Sequence, residues 1–220
     1  SELFQKLKQL ISRFINCEKF YNETENKLYI KCKLLGSVIV EMILYPLNIT
    51  EYGALEWEIK VYRKEVFTVL GNKFTFPFML KDLKAYYQPP LYEEYGFSEP
   101  FSNSTFFVNA THVMRLINGT WVNEAYRAEN VVGSYAVYHA YKANNEYKTG
   151  KAFHIYRPKL IDAEGNEAWC RLNISNNLLK IEVSKVFLDR AVYPVTIDPT
   201  FGYESIGETL FTGSIDYIVG

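Results

Sequence analysis

Apolar positions recur along the chain with two different periods. Over residues 1–16 the spacing is helical: Leu3, Leu7, Leu10 and Phe14 line one stripe, which Phe4, Ile11 and Ile15 widen. The stripe predicts an amphipathic N-terminal helix, either capping the open end of a β core or docking into a neighbouring subunit. From Lys27 onward the period is two. Leu55, Trp57, Ile59 and Val61 alternate with Glu56, Glu58, Lys60 and Tyr62. Phe74, Phe76, Phe78 and Leu80 repeat the pattern, with Pro77 marking an edge or a bulge. The Asn118-Gly119 pair between 113–117 and 120–122 reads as a tight hairpin. Strands are expected at 131–141 and 152–156 across a polar connection, and at 160–161 and 169–174 across another. Runs 178–183, 193–197 and 209–219 follow. Closely spaced turn signals predict an all-β fold, an antiparallel β-sandwich of jelly-roll or Ig-like type with an N-terminal amphipathic helix. The expected organisation is a helix and connector over 1–26, a β-sandwich over 27–207, and a C-terminal strand over 208–220.

Two stretches depart from the alternation. Residues 81–103 lack a clean period and carry Tyr86, Tyr87, Tyr92, Tyr95 and Phe97 among Pro89, Pro90 and Pro100. They read as a long loop whose rings form a subunit interface or a sugar platform, or fold back on their own domain. The last stretch follows Gly202 and Gly207 and has strand composition, with Leu210, Phe211, Ile215, Tyr217 and Val219 as its apolar residues. Such a segment suits strand exchange into a neighbour's sheet, or an in-chain final strand.

Charge and composition narrow the classes. Across 220 residues Lys plus Arg is 24 against 25 for Asp plus Glu, a net charge of -1, which argues against nucleic acid as a partner. With 48% hydrophobic and 22% charged residues, the chain is not of disordered type. Aromatics reach 16%, favouring strands and interfaces. No apolar run is long enough to span a membrane, and Ser1 opens an amphipathic stretch with Lys6 and Lys8 rather than an apolar leader.

Six Asn-x-Ser/Thr sequons occur, at Asn22, Asn48, Asn103, Asn109, Asn118 and Asn173. Chance placement of the chain's Asn, Ser and Thr gives roughly 1.7 by the acceptor rule. The excess points to a glycosylated extracellular, cell-surface or virion-surface protein, although Asn- and Thr-rich β-turns also generate the pattern. Cys17 and Cys32 flank a polar turn and suit a disulfide or two buried thiols; Cys170 is left over as a small core residue.

Candidate chemistry is sparse. His139 and His154 fall on expected partner strands, yet no third metal ligand accompanies them, and structural histidines are the better reading. Asp162, Glu164 and Glu167 cluster in one turn as a weak Ca²⁺ candidate whose spacing departs from the EF-hand, so no cofactor is expected. Glu56 and Glu58 share a strand face, compatible with a glycosidase pair but nonspecific. No nucleophile elbow, phosphate loop or dinucleotide fingerprint is present.

Three runs carry a resemblance. They are Val131-Val132-Gly133-Ser134-Tyr135-Ala136-Val137-Tyr138-His139, Thr149-Gly150-Lys151-Ala152-Phe153-His154-Ile155-Tyr156-Arg157-Pro158, and Tyr193-Pro194-Val195-Thr196-Ile197-Asp198-Pro199-Thr200-Phe201-Gly202-Tyr203, the last preceded by Phe187-Leu188-Asp189. Over roughly residues 85–208 the chain resembles an uncharacterised β-rich module of phage, prophage and microbial surface proteins. Its last run also looks like a segment of Rhs-type and wall-associated repeat proteins. The resemblance implies a surface or virion structural module, often beside a lectin-like domain, with no assigned chemistry. Arg157 and Asp198, at the ends of these motifs, suit a buried bidentate pair.

Together these features predict a structural subunit of an extracellular or virion-surface assembly, partnered by copies of itself or other surface subunits. A carbohydrate-binding adhesion module and a secreted glycoside-active enzyme are the alternatives.

Overall fold

The computed structural model describes residues 15–47, 54–141 and 150–202. The expected helix stripe up to Phe14, the sequon at Asn48 and the C-terminal strand lie outside the described residues. The fold is β-rich and its sheets are antiparallel. Its residues cluster into two compact units, where strand spacing predicted one domain over 27–207.

In the first unit, strands β1 (Ile15–Asn22), β2 (Lys27–Leu34), β3 (Ser37–Leu47) and β4 (Ala54–Val61) run in sequence order. Beyond β4 the same sheet continues through β17 (Val195–Asp198), β13 (Lys159–Ile161) and β14 (Glu167–Trp169). Its core strands are β-branched and wholly buried at Ile59, Val61, Val195 and Ile197, which share one face, while Lys60 and Thr196 on the other face are half-buried. A three-stranded sheet joins β15 (Arg171–Ser175), β16 (Leu178–Glu182) and β5 (Lys73–Pro77). The short helix α1 (Lys64–Leu70) buries Phe67 edge-on to Phe74 and ends where Gly71 takes a left-handed φ of 68°.

The second unit pairs β6 (Leu83–Tyr87), β11 (Tyr135–His139) and β12 (Lys151–Ile155), with Phe201 and Gly202 of β18 (Thr200–Gly202) at the side of β12. Its other sheet orders β10 (Thr120–Tyr126), β9 (His112–Ile117), β8 (Phe106–Val108) and β7 (Phe101–Ser102). The expected hairpin at Asn118-Gly119 joins β9 to β10, both turn residues holding positive φ. Helix α2 (Leu91–Glu94) follows Pro90 and places Leu91 in a core with Val108 and Val113. A further short helix, α3 (Lys185–Leu188), is capped by Ser184 in the first unit.

Three expectations are corrected. The helix and connector read over 1–26 give way at Ile15 to strand β1, because that segment pairs residue by residue with β2 and is tied to it at Cys17. The stretch 81–103 is not a loop: it holds β6, α2 and β7, since Tyr86 and Tyr87 add to β11 and the prolines mark element boundaries rather than disorder. On β4 the alternation fails at one end, with Leu55 exposed and Glu56 buried. Glu56 tolerates burial because the Thr200 hydroxyl donates to its carboxylate at 3.1 Å and Asp198 shares a hydrogen bond with it.

Candidate functional site

Strand β10 carries three exposed large apolar side chains, Trp121, Val122 and Tyr126. Among the described residues it pairs with β9 on one side, and nearly every position along it is exposed. Register puts Trp121 and Tyr126 on one face with Met114, Leu116 and His112, the last holding its ring tilted against Tyr126 at 4.9 Å. Trp121 is 44% and Tyr126 56% exposed, and Val122 stands open on the opposite face. A slip of register between Asn123 and Ala125 bends the strand and returns Ala125 to the core. Long edges with exposed apolar side chains invite another strand.

The predicted aromatic residues separate. Tyr92, Tyr95 and Phe97 pack against the Leu91–Val108–Val113 core, so they serve their own unit. Tyr86 lies edge-on to Tyr138, whereas Tyr87 is exposed and leans on Tyr135 with ring centres 5.4 Å apart.

Of the described sequons, those at Asn22, Asn103, Asn109 and Asn118 sit at turns, whereas Asn173 lies within strand β15. Asn103 Oδ1 accepts from the backbone N–H of Thr105 and Phe106, and Asn109 Oδ1 accepts from Thr111 and His112. Both are Asx turns closed by the sequon's own threonine hydroxyl. Asn22 Oδ1 accepts from Thr24 and Glu25, and Asn173 Oδ1 from Ser175. These bonds use the amide oxygen, not the nitrogen that would carry a glycan. Asn103, Asn118 and Asn173 are exposed.

Cys17 and Cys32 are bonded as a disulfide, directly opposite in the β1–β2 register with Cα atoms 4.1 Å apart. Cys170 is buried. Asp162 spends its carboxylate on the N–H groups of Glu164, Asn166 and Val192 and on the Asn166 amide. The Asn166 bond leads in pulling its pKa down to about 2. Glu167 is ion-paired to Lys159 at 2.8 Å. Asp162 thus braces a turn, and among the described residues no three His, Cys, Asp or Glu side chains converge as a metal group. The histidines do not face one another: His139 lies opposite Leu83, and His154 opposite Ala136. Arg157 belongs to the second unit and Asp198 to the first, where Asp198 engages Glu56. Glu58 accepts from the Tyr45 hydroxyl at 2.6 Å.

One polar centre escaped the strand-pattern reading. Ser134, at the mouth of β11, sits 2.6 Å through Oγ from His154 Nε2, and both are sealed from solvent. The Tyr156 ring lies 4.6 Å from the imidazole. Burial, with the charges of Lys151 and Arg127, pushes the His154 pKa well below its ordinary value. Arg127 is itself buried, bonded to the Pro89 carbonyl and paired with Glu94 at 2.7 Å. The signal for this contact was the hairpin register: Ala136 opposite His154 puts Ser134 on the same face, two residues on.

Compared with known proteins, the chain matches no protein-family model, no curated protein and no solved structure. Among the described residues no helix is long and apolar enough to cross a membrane.

Proposed function

We propose that the chain is a structural subunit of an extracellular or virion-surface assembly, a filament, pilus or appendage that polymerises by β-strand addition. The observation that carries this reading is the β10 edge, exposed along its length and flanked by Trp121, Val122 and Tyr126. The donor is the C-terminal stretch, with Leu210, Phe211, Ile215, Tyr217 and Val219 as its anchoring residues. The Cys17–Cys32 disulfide and the sequons are compatible with an oxidising, glycosylating exterior. In this reading the sheets form sandwiches of jelly-roll or Ig-like type, the N-terminal stripe caps one of them, and the surface-protein resemblance reflects a shared structural role.

Electron microscopy of the purified chain tests the proposal. Filaments are expected, and both removal of residues 208–220 and Val122→Lys on the β10 edge should leave monomers with an unchanged circular-dichroism spectrum. A wild-type chain that stays monomeric at high concentration would overturn it. A second reading, a carbohydrate-binding adhesion module, is favoured by the open Tyr87 ring beside Tyr135. It requires glycan-array binding that Tyr87→Ala abolishes and deletion of 208–220 leaves intact.

A further inference from the structure

The Ser134–His154 pair has no part in strand addition, and it sits where a catalytic dyad could act on only one substrate. Both side chains are buried, so no substrate larger than water reaches the hydroxyl. The carbonyl carbon nearest along the chain is that of Gly133, one peptide bond upstream, and attack on it by Ser134 Oγ closes a five-membered ring. The peptide around that bond is held in place. Gly133 N–H donates to the Gln88 carbonyl at 2.7 Å, and Ser134 N–H donates to the Val131 carbonyl at 3.0 Å. Gly133 takes a left-handed φ of 77°, and a Cβ placed on it would meet Arg157 Cδ at 3.5 Å, with Arg157 Nε and the Tyr87 hydroxyl oxygen each at 3.9 Å. The Arg157 side chain and the Tyr87 hydroxyl therefore lie near the Gly133 Cα; brought to its carbonyl oxygen, donors of this kind would stabilise a tetrahedral oxyanion. His154 is kept neutral by its buried setting beside Lys151 and Arg127, so its ring nitrogen is available as a base at neutral pH. Gly133 is only half-buried, which gives water access to an ester formed at its carbonyl.

We propose that Ser134 and His154 cut the chain's own Gly133–Ser134 peptide bond by an N-to-O acyl shift followed by ester hydrolysis. His154 Nε2 takes the proton from Ser134 Oγ as the Oγ–C bond to Gly133 forms. The C–N bond then breaks, and the same imidazole returns the proton to the departing Ser134 amine. Water hydrolyses the resulting ester, leaving a Gly133 carboxylate and restoring the Ser134 hydroxyl beside a new amino terminus. No oxidant, reductant or cofactor enters the balance. The cut falls just before β11, whose residues remain paired to β6 and β12, so the two pieces stay associated until denatured.

Mass spectrometry of the full chain under denaturing conditions, after prolonged incubation at pH 8, tests the proposal. Two fragments are expected, one ending at Gly133 and one beginning at Ser134, with the yield raised by hydroxylamine, which traps esters. Ser134→Ala should remain intact. Ser134→Cys should still cleave, which guards against a misfolded alanine variant. His154→Gln should slow cleavage about a hundredfold or more, the low end of the roughly 10²–10⁴-fold worth of general acid–base catalysis. A wild-type chain that stays whole even in hydroxylamine overturns the proposal. So does cleavage that persists in Ser134→Ala or falls at another bond. None of these outcomes depends on whether the chain polymerises.

Discussion

At the scale of single residues, Glu56 shows how a strand pattern is overruled by a partner. Period-two alternation on β4 assigns position 56 to solvent, yet the side chain is 7% exposed, held by Thr200 and Asp198. Burial first, then the Asp198 hydrogen bond and charge, holds its carboxyl well above the ordinary carboxylate range. Because the folded pKa lies above the unfolded value of about 4.3, the group's contribution to stability is complete below that pH. It is lost as pH rises through the folded value. The melting temperature of the wild type should therefore decline from pH 5 toward pH 9, and Glu56→Gln, which keeps a neutral hydrogen-bonding group, should flatten that decline. An unchanged slope in the variant would refute the assignment. The Glu56–Asp198 contact joins residues far apart in the chain, so no local signal announces it. The Asx turns are the opposite case, since Asn103 and Asn109 bond within three residues of themselves and their role is visible in the sequence.

At the scale of elements, local pairing decides what periodicity leaves open. The stripe from Leu3 to Phe14 extends by pattern to Ile15, but Ile15–Asn22 is strand because β2 supplies a partner for every residue from Ile15 to Asn22. Among the described residues β1 lies at the edge of its sheet, and the disulfide fastens it near its N-terminal end. Closing a loop of this length contributes about 3 kcal/mol in the chain-entropy model. Reduction, or the Cys17→Ser/Cys32→Ser pair, should destabilise the chain by up to about that much, with the earliest loss of amide-exchange protection over 15–22. Uniform loss across both units would contradict the local role given to the bridge. The β9–β10 hairpin was fully legible because Asn118 and Gly119 are the residue types that adopt positive φ cheaply. The 81–103 stretch was not, because β6 is a short strand inserted beside β11, and nothing local reports a partner some fifty residues away in sequence.

At the scale of the whole molecule, the near-neutral charge and the aromatic content pose a solubility problem that sugars would relieve. If the exposed sequons carry glycans, Asn103→Gln, Asn118→Gln and Asn173→Gln together should lower the chain's mass on expression in a glycosylating host. They should also lower the solubility limit several-fold, with little change in melting temperature; unchanged mass would remove the glycan argument. The sequence by itself determined the strand content, the hairpin turns, the Asx turns and the cysteines available for pairing. Each depends on neighbours within a few residues or on side-chain chemistry alone. Only the tertiary structure decided that Cys17 meets Cys32, that the Tyr/Pro stretch adds two strands and a helix to its unit, and that Glu56 is buried. It also decided that Ser134 meets His154 in the interior and that, among the described residues, β10 lies at the rim of its sheet. These depend on which strands become neighbours. That choice is made by the burial of the whole chain, because backbone hydrogen bonds alone are satisfied equally well by many pairings.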